Sequence, residues 1–183
     1  HARAKAGLSH VTGVPTGLPW LDDQTLGLQP GTLCILAARP SVGKTALALN
    51  IAAHAATKGE KKVVFFSLEM PSDQLALRLL ASEAKLDSER VSKGKLAQND
   101  WDRIMVQGER LMGAPIWFDD SFMLSPVELR SKCRKLKRES GLDLVVVDYL
   151  QLMHAPSDRA SQSREQDRFD DATFVVLDRL AEV

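Results

Sequence analysis

At 183 residues, with 24 Lys and Arg against 24 Asp and Glu, the chain has room for one domain with a sizeable core and carries no net charge to draw it to nucleic acid or an anionic membrane. Any such binding has to come from local patches. No apolar run approaches a membrane span, the first residues lack the apolar centre of a signal peptide, and Cys34 and Cys133 suit neither a disulfide nor a metal site, so a reducing, cytoplasmic location without membrane contact is expected.

Residues 1–30 are rich in glycine and proline, with T-G-V-P-T-G (12–17) and L-G-L-Q-P-G (26–31), and read as an irregular lead-in with a short helix near Leu18–Gln24. From Gly31 to Ala38 the run around Leu33, Cys34, Ile35 and Leu36 predicts a first buried strand. A loop, A-R-P-S-V-G-K-T (38–45), separates it from a helix over 44–58, whose apolar residues Ala46, Leu47, Leu49, Ile51 and Ala52 surround the axis.

K-V-V-F-F-S-L (62–68) reads as a second, fully buried strand, and Ser72 with Gln74–Leu80 as a helix. Residues 83–100 are polar and look like a surface excursion. Trp101, Ile104, Met105, Leu111 and Met112 mark an amphipathic helix closed by Gly113 and Pro115. I-W-F-D-D (116–120) is a third short strand, and S-P-V-E (125–128) is a capping box with proline at the first helical position.

The helix it opens carries Arg130, Lys132, Arg134, Lys135, Lys137 and Arg138 spread around the axis, with Glu139 beside them, and is expected as a solvated crossover and not a DNA surface. Trp20, Trp101 and Trp117 sit in apolar patterns and are expected in the core, not as stacking platforms. L-D-L-V-V-V-D-Y-L (142–150) is the most strand-like segment. Residues 154–168 read as a mobile loop, and F-V-V-L (174–177) as one further strand. Strands alternate with helices, which predicts an α/β fold with a mainly parallel sheet and right-handed crossovers.

The loop at 38–45 has the outline of a phosphate cradle. A strand delivers the backbone to a tight turn, amides around Gly43 can face an anion, and a helix starting near Lys44 presents the positive end of its dipole. In this arrangement Ala38, Arg39, Pro40, Ser41, Val42, Gly43, Lys44 and Thr45 enclose the phosphates of ATP. Lys44 reaches the β- and γ-phosphates, and the Thr45 hydroxyl ligates Mg2+. Ala38 stands where the generic G-x-x-x-x-G-K-[ST] pattern has its first glycine.

Hydrolysis needs two further carboxylates at the carboxyl ends of neighbouring strands. Asp148, after V-V-V, is the candidate second Mg2+ ligand. Glu69, after V-V-F-F-S-L, is the candidate base or water-orienting group.

These residues lie in phrases that resemble a family. T-G-V-P-T-G, L-Q-P-G (28–31), A-A-R-P-S-V-G-K-T-A-L-A-L-N (37–50), F-F-S-L-E-M (65–70) and V-V-V-D-Y-L-Q-L-M (145–153) together look like the carboxy-terminal, RecA-like motor domain of DnaB-type replicative DNA helicases. Its phosphate loop similarly begins with alanine. The resemblance implies a RecA-like P-loop NTPase fold over 31–183, with Lys44 and Glu69 catalytic and Thr45 and Asp148 on the metal. It further implies a hexameric ring with ATP at each interface, translocation along single-stranded DNA, and primase and a helicase loader as partners.

Past about residue 166 the chain departs from that pattern. S-R-E-Q (163–166) resembles the start of the following helix, but no sensor strand, arginine-finger motif or complete second DNA loop follows, and Arg168 and Arg179 qualify as fingers by residue type alone. A parallel sheet cut off after its metal-binding strand exposes an apolar edge, which favours a piece of a longer protein over a natural truncated relative. The rival reading is a loader-like or regulatory helicase paralogue that binds nucleotide without unwinding; a RecA-group recombinase fits the L-E-M and D-Y-L-Q-L-M phrases less well.

Overall fold

Two strands, Val63–Ser67 (β2) and Leu144–Asp148 (β4), are buried along their whole length, and the other elements are arranged around them. The computed structural model describes residues 11–39, 41–122 and 124–148 and the backbone of 172–176. In chain order the remaining elements are α1 (Pro19–Thr25), β1 (Leu33–Ala37), α2 (Lys44–Thr57), α3 (Ser72–Glu83), α4 (Ser88–Ser92), α5 (Gln98–Met112), β3 (Ile116–Asp119), α6 (Pro126–Glu139) and β5 (Ala172–Val176).

The sheet order is β1-β5-β4-β2-β3. β2 pairs in parallel with β3 and β4, so β4 and β3 flank it, whereas β5 runs antiparallel to both β4 and β1. Four of the five strands thus point the same way, and β5 alone is reversed. Successive side chains of a strand point to opposite faces. Val63 and Phe65 with Leu144 and Val146 therefore enter one core with α2 and α3, while Val64 and Phe66 with Val145 and Val147 enter a second with Leu129 and Cys133 of α6. Burying each of these phenylalanines stabilises the fold by roughly 1.5–3 kcal/mol.

β1 differs from its sequence-based expectation: the strand is there, but it is not buried. It lies at the sheet edge, where Leu36 packs against the core while Leu33 (58 %) and Ile35 (46 %) on the other face stay exposed. Trp20 (62 %) and Trp101 (47 %) are likewise on the surface instead of in the core, and Trp117 is half-buried. On α5 the buried line runs through Asp100 and Ile104, so that Trp101, Met105 and Met112 fall outside it. The polar stretch 83–100 contains α4, whose Asp87 cap accepts a hydrogen bond from the Arg90 amide and whose Arg90 pairs with buried Asp100 at 2.9 Å.

Residues 11–30 of the lead-in are also more ordered than their composition suggests. Thr16 N and Oγ1 and Gly17 N all donate to the carboxylate of buried Asp22, at 3.0, 2.8 and 3.2 Å. Val14 bridges to Leu28, and both join the core of α2 and β2. A Cβ on Gly17 would stand 2.5 Å from the His54 ring of α2, so glycine there lets this segment lie against the helix. At α6 the predicted capping box is present: Ser125 Oγ accepts from Glu128 N while Glu128 Oε2 accepts from Ser125 N. Arg130, Arg134, Lys135 and Arg138 on that helix are exposed, as a solvated crossover requires.

Candidate nucleotide site

β1 ends at Ala37, and the chain turns through two residues of positive φ before α2 begins, Ser41 (φ 64°) and Gly43 (φ 100°). Nothing lies within 4 Å of where a Gly43 Cβ would be, so glycine is required there by backbone conformation and not by crowding. Gly43 occupies the N-cap of α2 without a side chain to satisfy the first amides, and its carbonyl accepts from Leu47 N at 2.9 Å. A helix of fourteen residues thus opens onto the loop and turns the positive end of its dipole toward it.

Above this end lies a cavity of about 500 Å3, lined by Ala38, Arg39, Ser41, Gly43, Lys44, Thr45 and Ala46 from the loop and α2, and by Glu69, Met70 and Arg78 from the β2–α3 connection and α3. Its volume falls within the usual range for ligand pockets, and three cations, Arg39, Lys44 and Arg78, line it with a helix N-terminus. That donor set suits a polyphosphate. The single carboxylate of the lining is Glu69, from the β2–α3 connection.

The structure therefore brings together Ala38, Arg39, Ser41, Gly43, Lys44, Thr45 and Glu69 of the residues expected from sequence. Val42 is exposed and outside the lining, and Pro40 lies outside the described residues. Asp148 is buried at the end of β4, also outside the lining. The sheet order sets its strand between β5 and β2, and its carbonyl accepts from Leu68 N at 2.7 Å, which joins the metal candidate directly to the residue preceding Glu69. Arg168, S-R-E-Q and Arg179 lie outside the described residues.

Met70 and Arg78 are additions that sequence reasoning did not single out. Met70 adjoins Glu69. Arg78 lies six residues into α3, and only the rotation of that helix about its axis, fixed by buried Leu75 and Leu79, decides that it faces the cavity. The signal available in the sequence was the i, i+4 spacing of those two leucines.

Among the described residues no group of three or more His, Cys, Asp or Glu side chains forms a preassembled metal site, and no helix is long and apolar enough to cross a membrane. Of the two candidate Mg2+ ligands, Thr45 lines the cavity and Asp148, on a separate element, does not.

Comparison with known proteins identifies the architecture. The family model described as the DnaB-like helicase C-terminal domain matches residues 13–170. The chain is 45 % identical over 157 residues to the replicative DNA helicase DnaB of Geobacillus stearothermophilus and 44 % identical over 157 residues to the replicative DNA helicase DnaC of Bacillus subtilis (strain 168); each alignment covers 86 % of this chain and 34 % of the relative. It is 48 % identical over 153 residues to DnaB of Pasteurella multocida (strain Pm70), covering 82 % and 33 %. The chain thus spans about a third of the length of the curated relatives it matches.

Among solved structures, a DnaB-like replicative helicase studied in its interactions with primase superposes with a TM-score of 0.78 at 28 % identity, over 89 % of this chain and 40 % of that one. The ATPase domain of G40P gives 0.75 at 27 %, over 92 % and 60 %. With the strand-loop-helix cradle and the RecA-like α/β layering in place, the chain belongs to the DnaB-like helicase C-terminal domain family.

Proposed function

We propose that this chain is the ATP-hydrolysing motor domain of a replicative DNA helicase, which translocates on single-stranded DNA and unwinds duplex DNA. The observation that carries the reading is that Lys44 and Thr45, at the N-terminus of α2, and Glu69, just past the end of β2, line one cavity. Relatives of this similarity are named replicative DNA helicases, which supports the same activity here. Residues 11–30 of the lead-in at 1–30 then act as a folded brace on the ATPase domain at 31–183.

ATP binds with its phosphates against the loop from Ala38 to Thr45, Pro40 and Val42 included, where backbone amides and the α2 dipole meet the negative charge. Lys44 holds the β- and γ-phosphates and neutralises charge that develops as the terminal bond loosens. Glu69 accepts a hydrogen bond from the attacking water and aligns it with the γ-phosphorus. Arg78 and Arg39 add positive charge at the cavity rim. Thr45 and Asp148 hold a magnesium ion, which supplies further neutralisation of the phosphate oxygens when bound.

In the working form, six copies close a ring around single-stranded DNA in the cytoplasm, with primase and a loader as partners; the primase complex of a DnaB-like relative supports this assignment. Glu69→Gln tests the core of the reading. In the assembled full-length protein it should keep ATP binding within about threefold and lower single-stranded-DNA-stimulated hydrolysis at least about a hundredfold. Undiminished turnover would remove Glu69 from the role. Hydrolysis that ignores single-stranded DNA and displaces no strand would instead favour the nucleotide-binding module without unwinding.

A further inference from the structure

Helix α3 starts without a cap of its own. Its N-cap is Pro71, which has no side-chain oxygen, and the first helical amide, Ser72 N, finds its acceptor 48 residues away, in Asp120 Oδ2 at 2.9 Å. The Ser72 hydroxyl bonds to the same carboxylate. Asp120 directly follows the edge strand β3, so a group on the sheet edge fixes where α3 begins.

Glu69 sits three residues before that point. Before it the connection is held by Leu68 N donating to Asp148 O at 2.7 Å, and directly after it by Met70 N donating back to Ser67 Oγ at 3.2 Å. Among the described residues no hydrogen bond or ion pair holds the Glu69 carboxylate itself, and the side chain is exposed toward the cavity. Its aim is therefore set by the backbone between two anchors, one at β4 and one at Asp120.

We propose that Asp120 is a positioning residue for hydrolysis: by anchoring the first turn of α3 it fixes the placement of Glu69 against the phosphate loop. The proposal rests on the reading of Glu69 as the water-orienting carboxylate. It assigns Asp120 no contact with substrate.

A cap that only stabilised α3 would change melting and leave catalysis alone. A positioning residue changes kcat, because displacement of a reacting group by about 1 Å costs up to about a hundredfold in rate. It leaves KM nearly alone, because the α2 end of the cavity is untouched.

The test is a double-mutant cycle on ATP hydrolysis in the full-length protein. Asp120→Ala should lower kcat about tenfold with KM for ATP within about twofold, and Asp120→Asn, which retains an acceptor, should recover most of the loss. In a Glu69→Gln background, Asp120→Ala should cost little further, since the group it positions is already disabled. Amide hydrogen exchange over Ser72–Leu75, faster in Asp120→Ala with exchange in α2 unchanged, verifies that the anchor is released in a folded protein.

Unchanged kcat in Asp120→Ala, or an equal proportional loss with and without Glu69, overturns the proposal. If Glu69→Gln itself hydrolyses at full rate, the underlying reading of the site fails, and that result is separate from a failure of Asp120.

Discussion

Asp119 and Asp120 are neighbours in sequence, yet they bond to helices packed in different parts of the fold. Asp119 Oδ2 accepts from Lys132 Nζ of α6 at 2.5 Å, while Asp120 Oδ2 accepts from Ser72 N of α3. α3 contributes to the core with α2 and α6 to the other core, so the end of one edge strand ties the two layers together.

Acid should loosen that tie. Burial opposes ionisation of Asp119, but hydrogen bonds from Lys132 and Ser121 outweigh it and hold its carboxyl below the usual range. The Ser72 amide and hydroxyl do the same for Asp120, and the Ser125 amide and hydroxyl for Glu128. A depressed carboxylate contributes stability that is present above its unfolded pKa and is lost as pH falls through the folded value. Stability should thus be level near neutrality and fall below about pH 4, read as urea midpoints. Lys132→Met should cost about 0.5–1 kcal/mol at neutral pH, since the pair is partly exposed, and should flatten the acid limb.

Removing Asp22 should unfasten the lead-in from α2. Asp22→Ala strands Thr16 N and Thr16 Oγ1 in a buried setting and frees Gly17 N beside them, with an expected cost of about 2–4 kcal/mol. Asp22→Asn keeps one acceptor oxygen and should lose about half of that. Chemical denaturation measures both. A loss below about 0.5 kcal/mol in Asp22→Ala would mean that the bracket contributes nothing to the fold.

The two cysteines should separate cleanly under alkylation. Cys133 is buried against α6's own core, and burial, followed by the nearby Asp119 charge, pushes its thiol up to about 12. The thiolate is the reactive form, so Cys133 should resist iodoacetamide at pH 8 until the protein unfolds, while Cys34, exposed on β1, reacts in the native state. Peptide mass spectrometry before and after denaturation distinguishes the two. Native labelling of Cys133 at the Cys34 rate would contradict the burial.

What the sequence disclosed follows from how local each signal is. β2 and β4 were legible because an unbroken apolar run such as V-V-F-F or L-V-V-V suits only a strand covered on both faces. The phosphate loop was legible because its residues are contiguous. β1 carries the same apolar signature, but its burial depends on which strands and helices lie beside it, and the edge position leaves Leu33 and Ile35 uncovered. Helix α4 is five residues long, too short for a periodic pattern, and it is held by Asp87 and by Arg90 to Asp100. Arg78 depended on the rotation of a helix, and Asp120 on a contact spanning 48 residues. Both reach the site only through tertiary packing.

Among the described residues β1 is hydrogen-bonded to the sheet solely through β5, which means through residues 172–176, about 140 positions further along the chain. A ribosome delivers α2, β2, β3 and β4 before that strand. The phosphate loop hangs from β1. During synthesis, therefore, β1 and the loop that follows it gain their partner strand only after the most distant loop closure among the described strands has been made.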